Sequence, residues 1–255
     1  MAKIRHVAFM VKEPVRMLEW YQRGFGFEQC YESKYARMAL DGLFNIALIQ
    51  PREGDVEIVG THRADGGEAD QRLGINHFGF VVDSVEDTLA RLPDLKHGEN
   101  PQDGRPAEMR VYDDWGNAFD LAARGYFGRE EKRLPAVRQV VLQADHPSEV
   151  ADFFKSKLEL EEVDRAPDGS VALSDGYIRL DVVEEGILPK NGIQYIGIQI
   201  DSWDALEARF KEMGEKLPKR APNQTELRIK DPEGNPIMLS EKGWAEPAGV
   251  AAFRD

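Results

Sequence analysis

The side chains best suited to chemistry in this chain are two histidines and one aspartate. His6 and His77 each lie in the middle of a short apolar stretch, and Asp120 follows the Gly116–Asn117 turn signal by three residues. Two imidazoles and one carboxylate, carried by three different strands, would leave several coordination positions of a divalent metal open. That arrangement is typical of non-haem Fe(II) oxygenases and also suits Mn(II), Co(II) or Zn(II). We therefore predict metal ligands at these three positions.

The sequence repeats itself, and only the first copy carries ligating residues. Three pairs of segments match: 74–92 with 192–210, 113–121 with 231–239, and 4–11 with 137–144. The first two pairs are 118 residues apart and the third is 133 residues apart. In the second copy the positions of the three candidate ligands are taken by non-ligands or poor ligands, which are Gln139, Tyr195 and Met238.

A second explanation of the two histidines is that each is simply hydrogen-bonded inside a core. On spacing alone, this explanation is the favoured one. The repeat favours metal ligation instead. Two unrelated core histidines would have no reason to occupy corresponding positions in two modules, or to be replaced together in the second copy. The asymmetry predicts one metal per chain, in the N-terminal half.

The apolar stretches and turn signals predict four modules with the order β-α-β-β-β. In the first module, Ile4–Val11 is a strand, Val15–Gly24 is a helix closed by glycines, and three short strands follow around the Asp41–Gly42 turn. The first strands of the other modules are predicted at Ile75–Val82, Val137–Ala144 and Tyr195–Ile200. The fold class is therefore α+β.

The chain resembles the vicinal oxygen chelate superfamily, which includes glyoxalase I, extradiol ring-cleavage dioxygenases and bleomycin-resistance proteins. The motifs that carry the resemblance are IRHVAF, GINHFGF, DDWGNAFDL and DPEGNPIML, at residues 4–9, 74–80, 113–121 and 231–239. The resemblance implies that each pair of βαβββ modules forms one half-barrel. It places a metal on His6, His77 and Asp120. It also implies a metal-binding domain at 1–127 and a degenerate domain at 134–246, joined by a linker at Gly125–Pro135.

Two departures from the family pattern bear on the reaction. The family's closing acid is usually Glu, whereas this chain has the shorter Asp120. Glyoxalase I and the related epimerase take a fourth ligand from the closing strand of the first module, where this chain has Ala47 or Leu48; Asn45 is assigned to the turn before that strand. Three ligands, with an apolar residue at the position of the fourth, favour oxygenase chemistry over a glyoxalase I mechanism.

Arg110 and Tyr112 are the predicted catalytic residues. They occupy alternate positions on one predicted strand, so both side chains can face the same side of the sheet. That side is the concave side of the half-barrel, called the cup below, where the metal would lie. Tyr112 would donate a hydrogen bond to a bound phenolate or enolate, and Arg110 would pair with a substrate acid or stabilise anionic charge. A packed aromatic and a surface cation are the open alternatives. His62 and His97 are read as solvated unless a flap carries either over the cup, and His146 is given no role.

Composition excludes some function classes. The net charge is −13, which disfavours nucleic-acid binding, and no apolar run is long enough to span a membrane. The one cysteine, Cys30, is read as a small buried residue at the end of the first helix, and a cytoplasmic location follows by default. The polar segment Arg52–Arg72 is an active-site flap or a surface loop. The sequence leaves the oligomeric state open, homo-oligomers included.

The preferred function is an extradiol-type ring-cleavage dioxygenase, with a catechol-like substrate bound to Fe(II) through two vicinal oxygens. A lyase or isomerase using Mn(II), Co(II) or Zn(II) is the alternative enzyme. A small-molecule-binding protein of the bleomycin-resistance type is the non-enzymatic alternative.

Overall fold

The computed structural model describes residues 1–51, 73–99, 106–129, 131–184, 186 and 192–244. The proposed flap at 52–72, and His62 within it, lie outside the described residues. In the described ranges no helix is long and apolar enough to cross a membrane.

The N-terminal half contains two modules, each a strand and a helix followed by three strands. The first consists of β1 (Lys3–Met10), α1 (Pro14–Phe25), β2 (Glu28–Glu32), β3 (Ala36–Leu40) and β4 (Asn45–Ile49). The second consists of β5 (Gly74–Val81), α2 (Val85–Ala90), β6 (Lys96–Glu99), β7 (Met109–Tyr112) and β8 (Ala118–Ala122).

The C-terminal half repeats this order with one strand fewer. Its elements are β9 (Ala136–Gln143), α3 (Pro147–Leu158), β10 (Glu161–Arg165), β11 (Val171–Ser174), β12 (Arg179–Val183), β13 (Gly192–Gln199), α4 (Trp203–Glu212), β14 (Glu226–Lys230) and β15 (Pro236–Ser240). Residues 213–225, all described, contain no strand, so the fourth module is βαββ where the sequence predicts βαβββ.

Each half forms one mixed sheet, and the two modules of a half join through their first strands. The N-terminal sheet has eight strands in the order β2-β3-β4-β1-β5-β8-β7-β6, and the C-terminal sheet has seven in the order β10-β11-β12-β9-β13-β15-β14. In both sheets the two first strands, β1 with β5 and β9 with β13, are antiparallel. The predicted α+β class with two sheets built from paired modules is confirmed.

The two halves share a core of aromatic side chains. Phe154 of α3 packs against Phe78, Phe80 and Phe119 on the N-terminal sheet, with ring centroids 5.7–6.0 Å apart. These rings lie on the opposite face of their strands from His77 and Asp120, since side chains alternate along a strand. The C-terminal half therefore packs against the side of the N-terminal sheet that faces away from His77 and Asp120. The domain bounds 1–127 and 134–246 stay a prediction.

Two buried aspartates in hairpin turns tie each half to the first strand of the other. Asp41 accepts hydrogen bonds from the backbone N–H groups of Leu43, Phe44 and Val137. Asp175 accepts a bond from the backbone N–H of Ile4 at 2.7 Å. Each carboxylate thus fixes the start of the strand that carries His6 in one half or Gln139 in the other.

Cys30 lies on β2 and is partly exposed, so its assignment to the end of the helix is wrong. Burial of its thiol raises the pKa of Cys30 to about 11, which leaves it protonated at neutral pH.

Candidate metal centre

One row of residues crosses the N-terminal sheet and builds the site. The pairing registers place Asn45 beside His6, His6 beside Gly79, Gly79 beside Asp120, and Asp120 beside Arg110. Neighbours in such a row point to the same face of a sheet. His77 lies two residues before Gly79 on β5 and therefore faces the same side.

The three predicted ligands converge within the cup. One donor atom from each of His6, His77 and Asp120 lies within 4.8 Å of the other two, and all three side chains are buried. The Nε2 atom of His77 is 3.2 Å from Oδ2 of Asp120. No other group of three such side chains converges within the described ranges.

Amide oxygens orient both imidazole rings. Nδ1 of His6 lies 2.8 Å from Oδ1 of Asn45, and Nδ1 of His77 lies 2.8 Å from Oδ1 of Asn76. Because an amide oxygen only accepts, each Nδ1 donates, and the lone pair is left on Nε2. Metal-ligating histidines are commonly held in this way. The prediction that Asn45 belongs to a turn is wrong: it lies on β4, is fully buried, and orients His6.

His6 is held in the neutral form that a metal ligand requires. Burial is the main reason why the pKa of His6 is lowered to about 3, and the lowering effect of His77 exceeds the raising effect of Asp120. The ring of Tyr126 stacks on the ring of His6, with centroids 4.6 Å apart and planes within 6°.

Arg110 enters the cavity and binds the predicted ligands themselves. Its Nε and Nη2 donate to the two oxygens of Asp120, the latter at 3.1 Å, and Nη2 also donates to Nε2 of His77 at 3.0 Å. Burial alone would raise the pKa of Asp120, but Arg110 and His77 outweigh it and hold that pKa well below its usual range. Asp120 is therefore an anion and Arg110 a cation. The alternative reading of Arg110 as a surface cation is excluded by its burial.

Tyr112, His97 and His146 lie outside the cavity lining. Tyr112 is partly buried on β7, with Nζ of Lys96 5.7 Å from its ring centre. His97 is exposed on β6, and His146 is exposed at the start of α3. The described residues around the cavity include Tyr126 instead. The sequence did carry a signal for Tyr126, since the 118-residue offset pairs it with another aromatic, Trp244.

Among the described residues, the rest of the cavity lining is apolar, as predicted for the fourth-ligand position. Ala47 stands there, flanked by Met38 and Ile49, while Ala107 contributes from the opposite side. Leu48 points into the core. The cavity volume of about 20 Å³ accommodates a metal ion or a water molecule. A ring-sized ligand therefore requires some lining side chains to move.

Gly79 makes the contact between Tyr126 and His6 possible. A Cβ atom at Gly79 would lie 2.5 Å from Oη of Tyr126 and 3.1 Å from Cβ of His6. We expect Gly79→Ala to displace Tyr126 and to lower the free energy of unfolding by about 1–3 kcal/mol, as overpacking does. Gly98→Ala on β6, where the added carbon meets nothing within 4 Å, is the matched control. Urea denaturation that gives equal stabilities for the two variants would contradict this account.

The metal-free protein should depend on pH through His6. With its pKa lowered from 6.5 to about 3, the folded state binds this proton less tightly than the unfolded chain does. Stability from neutral His6 is complete above pH 6.5 and is lost as the pH falls towards 3. We expect the unfolding free energy of the wild type to fall more steeply between these limits than that of His6→Gln, by up to about 1.4 kcal/mol per pH unit. Parallel profiles in chelator would show that His6 does not titrate in this way.

Comparison with known proteins agrees with this architecture. Residues 3–121 match the family model of the glyoxalase/bleomycin resistance protein/dioxygenase superfamily. No curated protein sequence matches the chain. Among solved structures, the Mn(II)-bound glyoxalase from Novosphingobium aromaticivorans superposes with a TM-score of 0.69 at 14% identity, covering 94% of this chain and 83% of that one.

Two 2,3-dioxygenases are similar to the same extent. The 2,3-dioxygenase LapB from Pseudomonas sp. KL28 has a TM-score of 0.66 at 15% identity, covering 96% of this chain and 93% of that one. Homoprotocatechuate 2,3-dioxygenase from Brevibacterium fuscum, in complex with 3,4-dihydroxyphenylacetate, has a TM-score of 0.69 at 9% identity, covering 97% and 83%. At these identities the structures show a shared fold. Residues 3–121, the N-terminal half of the chain, therefore match the glyoxalase/bleomycin resistance protein/dioxygenase superfamily, which corresponds to the vicinal oxygen chelate proteins.

Proposed function

We propose that this protein is a metal-dependent enzyme that binds a small molecule through two vicinal oxygens, and that its reaction is extradiol-type ring cleavage of a catechol-like substrate. The observation that carries the proposal is the convergence of three buried donors, His6, His77 and Asp120, within 4.8 Å. Two neutral imidazoles and one carboxylate on one side of an ion form the facial set that Fe(II) oxygenases use. The metal-binding unit corresponds to residues 1–127 and the degenerate unit to residues 134–246.

The donor set fits a divalent ion, with one condition. Both Nδ1 atoms are held by amide oxygens, which places the lone pair of each imidazole on Nε2. In the structure, however, Nη2 of Arg110 binds Nε2 of His77 and Oδ2 of Asp120 together. A metal ion that uses these atoms must release Arg110 from them. The guanidinium therefore competes with the metal for the same lone pairs.

The chain's own residues would prepare the reaction in three ways. His6, His77 and Asp120 hold the ion, and Asn45 and Asn76 keep the imidazoles in the ligating orientation. The apolar wall described above excludes water from the reacting oxygens. An Fe(II) ion here would supply coordination of both substrate oxygens and of O2, and electron transfer between them. Tyr112 as a proton donor stays a prediction.

A lyase or isomerase that uses Mn(II), Co(II) or Zn(II) is the second candidate. The similarity to a Mn(II)-bound glyoxalase favours it. The position of the fourth ligand argues against this candidate, because Ala47, Met38 and Ile49 offer no further ligand there. The apolar wall leaves more open positions for exogenous oxygen ligands, which is why ring cleavage is preferred.

Oxygen uptake by the iron-loaded protein tests the proposal. The protein is purified without chelator, loaded anaerobically with Fe(II), and mixed with catechols in an oxygen electrode. Substrate-dependent O2 consumption that disappears in His77→Ala and persists in Tyr195→Phe, the counterpart position in the C-terminal half, is the expected result. Turnover under nitrogen with Mn(II) or Zn(II) would reverse the ranking, and ligand binding without metal would favour the bleomycin-resistance type.

A further inference from the structure

Two hydrogen-bonding groups in the cavity have no partner among the residues that the structure describes. Nη1 of Arg110 and Oη of Tyr126 are both buried, and neither makes a hydrogen bond. Both side chains line the cavity that contains the candidate ligands. Buried polar groups are normally satisfied, and each exception calls for an explanation such as an absent ligand. Nη1 can only donate, and burial raises the pKa of Tyr126 well above its usual value, so that its hydroxyl remains a donor as well.

The charge of the site requires an anion once a divalent metal binds. Among the described residues that line the cavity, Asp120 is the only carboxylate and Arg110 the only guanidinium, so these two cancel. As metal ligands, His6 and His77 would contribute lone pairs and no charge. A divalent ion would therefore leave two positive charges among apolar side chains, and buried charge without compensation is costly. One vicinal oxygen ionised on the metal would compensate only one of them.

We propose that Arg110 and Tyr126 form a subsite for a second anionic oxygen, so that the substrate carries an acidic group next to its two vicinal oxygens. This inference rests on the proposed function and names its substrate class. In the structure, Nη1 is bonded to the same carbon as Nη2, which contacts both His77 and Asp120. The bond from Nε of Arg110 to Oδ1 of Asp120 does not use the atoms that the metal would take, so the guanidinium can stay beside the metal ligands when Nη2 is displaced. We therefore expect this subsite to accept a carboxylate on the carbon next to the two vicinal oxygens and not one across the ring. Charge-assisted bonds from a guanidinium are among the stronger ones in proteins.

Binding of two isomeric acids to the Mn(II)-loaded protein under nitrogen tests this subsite. The probes are 2,3-dihydroxybenzoate, 3,4-dihydroxybenzoate and catechol, measured by isothermal titration calorimetry. The two acids have the same charge and differ only in where the carboxylate stands. We expect the 2,3-isomer to bind at least about tenfold more tightly than the other two probes.

The variants then assign the preference to the subsite. Tyr126→Phe keeps the ring that stacks on His6 and removes only the hydroxyl, and Arg110→Gln removes the charge. Each is expected to lower the preference for the 2,3-isomer by at least about threefold. Arg228→Gln, at the counterpart position in the C-terminal half, should leave it unchanged.

The outcomes separate this inference from the function on which it rests. If the Mn(II)-loaded protein binds all three probes equally, or if the variants keep the wild-type preference, the subsite is refuted and the proposed function stands. If it binds none of them, the proposed function fails and the subsite fails with it.

Discussion

Replacement of Asp120 by alanine is expected to abolish metal binding and to lower the free energy of unfolding by about 3–5 kcal/mol. The carboxylate is buried, accepts two bonds from Arg110, and lies 3.2 Å from Nε2 of His77. Without it, a buried guanidinium loses its counter-ion. Denaturant unfolding in the presence of chelator measures the stability loss apart from any effect of metal.

The double variant Asp120→Ala/Arg110→Met is the control for this loss. Replacing a buried ion pair by apolar side chains is often neutral, whereas removing one partner is not. We expect the double variant to recover most of the stability while still failing to bind metal. If the free energy of unfolding of Asp120→Ala alone lies within about 1 kcal/mol of the wild-type value, the ion pair between Arg110 and Asp120 is not the buried pair described here.

Replacement of Arg110 by glutamine is expected to tighten metal binding at least about tenfold. The guanidinium occupies lone pairs of His77 and Asp120 that the metal needs, and it repels a dication nearby. Two unit charges 4 Å apart interact by about 4 kcal/mol at an effective dielectric constant of 20. A tenfold change in affinity corresponds to only about 1.4 kcal/mol. Titration calorimetry with Mn(II) measures the change.

Arg228→Gln separates this local effect from a general change in charge. Arg228 stands on β14 beside Met238, as Arg110 stands on β7 beside Asp120, and it is exposed. We expect the Arg228→Gln variant to bind Mn(II) with the same affinity as the wild type. Weaker Mn(II) binding in Arg110→Gln than in the wild type would mean that Arg110 supports the metal ligands and does not compete with them.

The sequence predicted the ligand set because repeats constrain it. His6, His77 and Asp120 occupy fixed places in a duplicated pattern, and strand alternation then places them on one face. The contacts around them escaped prediction for a physical reason. Asn45 is the first residue of a strand, and from sequence a polar residue beside a turn reads as part of that turn. Only the register of β1 against β4 reveals that it faces His6.

Arg110 and Tyr126 show a second limit of the sequence. Alternation on β7 predicted that Arg110 and Tyr112 share a face, but it could not predict that Arg110 would bind Asp120 while Tyr112 lies beside Lys96. Tyr126 follows β8, the last strand of the N-terminal half, and it reaches His6 only because Gly79 leaves room for its ring. Such contacts depend on side-chain volumes in three dimensions, which periodicity does not encode.

The stoichiometry and location of bound metal test the central claim most directly. Protein purified without chelator, loaded with Mn(II) and desalted, is analysed by elemental mass spectrometry in three forms: wild type, His77→Ala and Tyr195→Phe. One ion per chain in the wild type and in Tyr195→Phe, with none in His77→Ala, is the predicted result. Full metal content in His77→Ala would contradict the account, because the ion would then be bound elsewhere than at His6, His77 and Asp120.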